Sequence, residues 1–453
     1  MLRWISAGAP PVALLLSVAS VVAGCSDDSR SSSDLGSDGP TATADAPVAG
    51  DLDGPASDLD APASVPPDAV SETLPDAPAI AVPDAPVVAL PNATDWGTAQ
   101  GLVPPIYDVS TDDAGNVWAI GIDTLFLLTP GAPTFHAFGN ADGLHVEPFT
   151  APDGTPLTTR LTAVAGATAN RVYLGYLGYE SDNPFGDTPE QKALGNGDRI
   201  DYDPATGTIA VNRYQFKCVV EVSSCWEDRS VRRIVVGHSG AAAGHAFFGF
   251  NHGTTQVWND ILGDHVHPEI NWVMGTTVTT KYGECQALAL NDDGTLWIGN
   301  RYGVGLMNWN PDPIAWTTAK FSIAFTTYTD NHGLDVPWGY TEDNRGAAVT
   351  ADGTLWLASG TLGLSSWNTA TDLSTMRHWD ATTGIPAKLN DILADTDGTL
   401  WIVVQGGALL HLDPTTGAVT AAPIADARRL YIDRAAVPRA LYIARGSGVT
   451  VLR

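Results

Sequence analysis

The chain has 453 residues, with 51 Asp and Glu against 23 Lys and Arg, a formal charge of −28 and 44% hydrophobic residues. That hydrophobic share is ordinary for a globular protein, and the length suits two or three domains of ~100–200 residues, or one large all-β domain with tails. The acidic excess, with no basic cluster in the sequence, excludes nucleic acid as a partner, because neutralising phosphates takes Lys and Arg.

From the N-terminus, Met1-Leu2-Arg3 supplies one positive charge and Pro11 to Val22 an apolar run, the layout of a secretory signal peptide. The run ends Val22-Ala23-Gly24-Cys25, which resembles the lipobox of bacterial lipoproteins. The resemblance implies removal of residues 1–24, a lipid-bearing Cys25 at the new N-terminus, and the membrane as a partner through that lipid. Ser26 after the Cys implies the outer membrane or cell surface in a host with two membranes.

Residues 26–92 contain no Phe, Trp or Tyr, and carry 13 acidic residues, one Arg and 11 Pro. Asp-Ala-Pro recurs at 45–47, 60–62, 76–78 and 84–86. Such a segment cannot bury enough apolar surface to offset the entropy of ordering, so 25–92 reads as a disordered tether. Proline and like charges extend it, at ~3.1 Å per residue where the backbone is polyproline-like. Residues 93–453 keep 21 basic against 38 acidic residues, so the anionic character belongs to the folded part as well.

From residue 93 the sequence repeats. Gly115-Asn116-Val117-Trp118-Ala119, Gly294-Thr295-Leu296-Trp297-Ile298, Gly353-Thr354-Leu355-Trp356-Leu357 and Gly398-Thr399-Leu400-Trp401-Ile402 are one motif, with weaker copies around Tyr173, Phe247 and Tyr442. An alternating apolar run and a turn, Asp-Gly in the clearest cases, precede each copy. Asp-Gly between two β-runs signals a hairpin, because the turn needs residues that tolerate positive φ. A third and a fourth run follow, ending in Gly143-Leu144, Gly333-Leu334 or Gly384-Ile385. Four strands per unit with an aromatic at a fixed position predict β-propeller blades. Aromatics at 118, 173, 247, 297, 356, 401 and 442 give seven blades, the longer steps marking insertions. The fold class is therefore all-β, a seven-bladed propeller of four-stranded antiparallel blades over 93–453.

The ends predict how the ring closes. Gly448 to Leu452 is only the third strand of the last blade, whereas Thr94–Leu102 matches the fourth-strand segment Arg377–Ile385. An N-terminal strand that completes the last blade leaves no open edge between first and last blades. Asp293-Gly294-Thr295-Leu296-Trp297-Ile298-Gly299, with 352–358 and 397–403, resembles the repeat of the two-component regulator propeller family. In that family such propellers often form extracytoplasmic sensing parts. The resemblance implies a fold far more than a ligand.

Three cysteines remain after Cys25. In an exported chain Cys218 and Cys225 suit a short hairpin disulfide, the alternative being that Cys218, Cys225 and Cys285 are all reduced and buried. Cys285 reads as a packing residue. On propeller faces, loops joining second to third strands and one blade to the next gather around the channel. Trp226, His252, Tyr302, Trp338 and Tyr340 fall on such loops and form the expected ligand face, for a carbohydrate, peptide or protein. The insertion Glu180–Asp198 brings five carboxylates (Glu180, Asp182, Asp187, Glu190, Asp198) without calcium-loop spacing, and reads as solvated loop.

His265, His267 and Glu269 alternate on an extended segment and so share a face, a pattern open to metal or acid–base chemistry. Pro268 interrupts that segment, and no nucleophile or phosphate-loop motif accompanies it. Together these features predict a lipid-anchored binding, sensing or protein-interaction module of the cell envelope, without metal or cofactor. The alternative is a lyase or hydrolase using His265, His267 and Glu269.

Overall fold

The computed structural model describes residues 92–453 with 85–87, 89 and 90, apart from 151–153, 155, 179–193, 215, 217–229, 251–252, 259–260, 263–269, 275–276, 282–283, 292–294, 301–302, 308–324, 328–342 and 372–374. The Gly-x-x-Trp motif folds as the hairpin its spacing predicts. In sheet 1, Asp108–Thr111 pairs antiparallel with Val117–Ile120. In the turn between them, Asp112 Oδ1 accepts the N–H groups of Ala114 and Asn116 at 2.9 and 3.1 Å, while Oδ2 accepts the Trp118 indole N–H at 2.9 Å. The same staple recurs where Trp401 donates to Asp395 Oδ2 at 3.0 Å and Trp356 to Thr350 Oγ1 at 3.2 Å. Gly115, Gly353 and Gly398 hold these turns at φ of 76°, 81° and 87°, where a Cβ is strained.

Leu125–Leu128 and His136–Phe138 complete sheet 1. Six further four-stranded antiparallel sheets follow, their innermost strands being Leu161–Gly166, Arg233–Val236, Ala287–Leu290, Asn344–Val349, Leu389–Ala394 and Ala427–Asp433. Each innermost strand neighbours that of the next sheet, and that of sheet 7 neighbours that of sheet 1, so the circuit closes. The chain is a β-propeller.

Its core is divided accordingly. Trp118, Ile120 and Phe138 pack on Val164, Val172 and Leu174 between sheets 1 and 2. Val109 and Phe126, from the opposite face of sheet 1, pack on Tyr442, Val449 and Val451 of sheet 7. Five comparable layers fill the remaining junctions. Because strand side chains alternate between faces, each sheet supplies two layers, which explains strands buried along most of their length. Insertions carry two extra hairpins, Pro148–Thr150 with Pro156–Thr158, and Ile270–Met274 with Thr277–Lys281.

The Gly-Leu stop is a capped turn. Short 3-10 turns at Thr98–Gln100, Asn140–Asp142 and Ala381–Thr383 end on Gly101, Gly143 and Gly384 with φ of 88°, 97° and 85°. The following Leu102, Leu144 and Ile385 are fully buried. Ring closure follows the predicted exchange: Ala93–Trp96 pairs antiparallel with Gly448–Leu452, with Trp96 opposite Val449. Trp96 stacks edge-on against Phe135, and Arg445 Nη1 lies 3.1 Å from Asp95 Oδ1.

Among the described residues, contacts also precede residue 93. Val87 bridges Ala421 on the outer strand of sheet 6 (Ala418–Ala421), the Ala421 N–H donates to the Pro86 carbonyl at 3.1 Å, and Leu90 packs into the layer between sheets 6 and 7. Among the described residues no helix is long and apolar enough to cross a membrane.

Candidate functional site

An innermost strand pairs along one edge only and turns the other toward the ring axis. Two residues beyond each motif aromatic, the second strand pairs with Asp108, Ala163, Arg233, Ala287, Gly346, Asp391 and Arg429 in sheets 1 to 7. These seven equivalent positions hold two acids and two arginines. The other three are Ala or Gly.

The charged four converge. Arg233 reaches from sheet 3 to sheet 6, its Nη1 3.1 Å from Asp391 Oδ1, and Arg429 Nη1 lies 3.9 Å from the same oxygen. Asp391 is fully buried and its Oδ2 accepts the Leu430 N–H of sheet 7 at 2.9 Å. Asp108, also buried, accepts the Val164 N–H of sheet 2 at 3.1 Å and its neighbour Val109 at 2.9 Å. Each acid thus satisfies a backbone donor on the unpaired edge of the next sheet, which a buried N–H requires. Small residues at the other positions make room. A Cβ on Gly346 would lie 2.8 Å from Ile392 N and 3.1 Å from Asp391 Oδ1.

Burial pushes the Asp108 carboxyl above its usual range, against the opposing pull of Arg233 and Arg429. Burial also works against the charge of Arg233, yet Asp391 and Asp108 hold its guanidinium above the ordinary value.

A cavity of ≈ 1040 Å³ runs along the axis, lined by the innermost strands of all seven sheets. Its described wall begins at Asp108 and Arg233 and continues only toward the C-terminal ends of those strands, into the turns 112–115, 237–239 and 433–436. No described residue on the other side of the charged positions lines it. Asp108 and Arg233 therefore stand at its inner end, and its mouth lies among the turns joining first to second strands. The walls are mostly Val, Leu, Ile and Ala with the hydroxyls of Ser110, Thr111 and Tyr431. Thr111 Oγ1 donates to the Tyr431 hydroxyl at 3.1 Å, and burial raises that phenol's pKa. At the mouth His238 Nδ1 stands 2.9 Å from Asp113 Oδ1, joining the turns of sheets 3 and 1.

Of the residues predicted to carry function, Trp226, His252, Tyr302, Trp338, Tyr340, His265, His267 and Glu269 lie outside the described residues, as do Cys25, Cys218 and Cys225. Glu180, Asp182, Asp187 and Glu190 do too, but Asp198 is corrected. Rather than solvated loop, it is the second residue of the strand Gly197–Asp203, completely buried, accepting the Tyr176 hydroxyl at 2.6 Å with His145 Nδ1 at 2.8 Å. Tyr176 at the end of the second strand provides a partner there that the carboxylate count did not show. Cys285 packs with Phe247, Leu288, Leu296 and Ile298, as expected of it. Among the described residues no group of three or more His, Cys, Asp and Glu could hold a metal.

The charged cluster escaped sequence reading because its members are 321 positions apart at the extremes, from Asp108 to Arg429. The signal was present in the repeats. Aligning the first strands on the motif aromatic exposes charges where sister repeats have Ala or Gly.

No protein-family model and no curated protein matches the sequence. Among solved structures, the chain is similar to YCF48 bound to D1 peptide, with TM-score 0.47 and 12% identity over 81% of this chain and 98% of that one. It is also similar to a chain of the mitotic checkpoint complex crystal structure, with TM-score 0.47 and 12% identity over 83% of this chain and 98% of that one. At such identity the likeness concerns the fold alone.

Proposed function

We propose that this protein is a lipid-anchored, extracytoplasmic propeller, of the two-component regulator propeller type, that works as a binding and protein-interaction module of the bacterial envelope. The axial cavity carries the reading. Its size is that of a ligand site and its walls are largely aliphatic, with a few hydroxyls and with charged groups at both ends, which is the composition of pockets that bind. Asp108 and Arg233 at its inner end are also committed to inter-sheet contacts, which suits a rigid receptor. The signal-like N-terminus and Cys25 support the envelope location. One acyl chain alone holds weakly, so the several chains of a lipoprotein are what stable attachment needs.

A photo-crosslinking residue at Ser239 or Ala435, both exposed at the mouth, tests it against one at Thr208, exposed on the outer strand of sheet 2. Adducts with a defined envelope component are expected from the mouth positions and not from Thr208, in membrane fractions that lose the protein when Cys25→Ser is introduced. Equal adducts from both places would sink the binding reading. Retention of Cys25→Ser in the membrane would sink the anchor.

A further inference from the structure

We propose that the outer junction of sheets 6 and 7 is a docking site for the Asp-Ala-Pro units of this chain, where Asp76–Pro83 exchanges with Asp84–Pro91. The site lies on the outer strands and is separate from the axial cavity. Residues 60–91 divide into four octapeptides that begin Asp-Ala and end in Pro, starting at 60, 68, 76 and 84. The last two are the most alike. Asp76-Ala77-Pro78-Ala79-Ile80-Ala81-Val82-Pro83 and Asp84-Ala85-Pro86-Val87-Val88-Ala89-Leu90-Pro91 differ only where one aliphatic residue replaces another.

The last unit shows what the site recognises. The outer strand of sheet 6 presents an edge of the kind to which an extended peptide adds. The Ala421 N–H donates to the Pro86 carbonyl, and Val87 bridges Ala421 in parallel. Leu90 packs on the layer that holds Leu409, Ile424 and Leu452, and the chain then enters the closing strand at Ala93. Main-chain pairing reads no side chain, and Val87 is 69% exposed. Recognition therefore comes down to one aliphatic side chain, four residues after the proline. Val82 stands at the same distance from Pro78. One methylene separates Val from Leu, so the two units differ in affinity by a factor of about four. Exchange leaves the closing strand in place: the register shifts by one unit, and residues 84–92 form a loop between Pro83 and Ala93. The entropy of closing such a loop grows only slowly with its length. Each unit taken up draws in about 25 Å of polyproline-like chain, so the site sets the reach between the propeller and its N-terminus.

Disulfide trapping in the full chain with Cys25→Ser tests this, because bridged strand residues lie within the reach of a disulfide. Peptide mapping identifies the bonds that form on mild oxidation. Val87→Cys/Ala421→Cys should close. With Leu90→Asp added, which puts a charge against the apolar layer, Ala79→Cys/Ala421→Cys should close within one chain. Leu90→Ala in place of Leu90→Asp should give the same bond at lower yield. Adding Val82→Asp should cut the yield by about tenfold or more, since the carboxylate has no partner there. A tether that merely collides with the strand gives one yield with either residue. Near-UV circular dichroism matching wild type shows each variant folded. Failure of the Val87→Cys pair to close would overturn the site itself. Failure of the Ala79→Cys pair beside both Leu90 variants, or a yield indifferent to Val82→Asp, would overturn the exchange. Bonds joining two chains would assign the site to a second copy and overturn it equally.

Discussion

A buried indole N–H needs an acceptor, and in this propeller the acceptor stands six residues earlier, at Asp112 for Trp118 and Asp395 for Trp401. The same carboxylates bind the next sheet, Asp112 through the Asn170 N–H at 3.1 Å and Asp395 through Arg439 Nη2 at 2.6 Å. One residue thus fixes a turn, a core side chain and a sheet junction. Histidines sit in the fold differently. His245, buried at the start of the strand His245–Gly249, has its pKa lowered by desolvation to about 4, and desolvation moves His378 and His411 the same way. A histidine whose folded pKa lies below the unfolded value near 6.5 stabilises fully above that value. The contribution is lost as pH falls from there toward 4, because the unfolded chain takes up the proton first. Stability measured by denaturant should therefore decline across that window in wild type, and His245→Gln should flatten the decline. An equal slope in the variant would show that His245 is not its source.

At the scale of elements, the hairpin and its Gly turn are local, whereas the junction between innermost strands is not. Gly166 ends the first strand of sheet 2, where its N–H donates to Ser110 Oγ at 2.9 Å and a Cβ would collide with the Thr111 carbonyl of sheet 1. Gly166→Ala should cost about 1–3 kcal/mol, the usual penalty of overpacking against an immovable neighbour. Thr208→Ala on the outer strand of sheet 2 should stay within roughly 0.5 kcal/mol. Chemical denaturation of the two variants beside wild type measures the contrast. Equal midpoints would mean that the first strands are not in close contact.

For the whole molecule, stability depends on closing the ring, since each sheet has apolar layers on both faces and no layer is complete without its neighbour. The closing strand Ala93–Trp96 brings Trp96 against Phe135 and Tyr442, so it joins the junction of sheets 7 and 1 as well as completing sheet 7. A chain lacking 26–84 should melt as wild type does. Extending the deletion through Trp96 exposes the Gly448–Leu452 edge and should lower the melting temperature by roughly 10 °C or more, at ~2–4 °C per kcal/mol for a domain of this kind. Calorimetric scans of the two truncations compare them directly, and coincident melting would refute strand exchange as the closure.

Period, turn chemistry and a repeated aromatic were enough to read the architecture and the closing strand, because hairpins are local and the last repeat visibly lacks a strand that the first residues supply. They also showed that Gly384-Ile385 ends a unit, since the turn needs positive φ and the next side chain needs burial. What they did not show is where the repeats differ to a purpose. Asp108, Arg233, Asp391 and Arg429 are unremarkable charges in four separate strands until the ring places them around one axis. Asp198 looked like one more loop carboxylate until strand pairing buried it beside Tyr176. Local sequence determines which strands form and how they turn, because those energies act within a few residues. Only the tertiary structure decided which side chains share the axis, because that proximity comes from ring closure and not from neighbours in the chain.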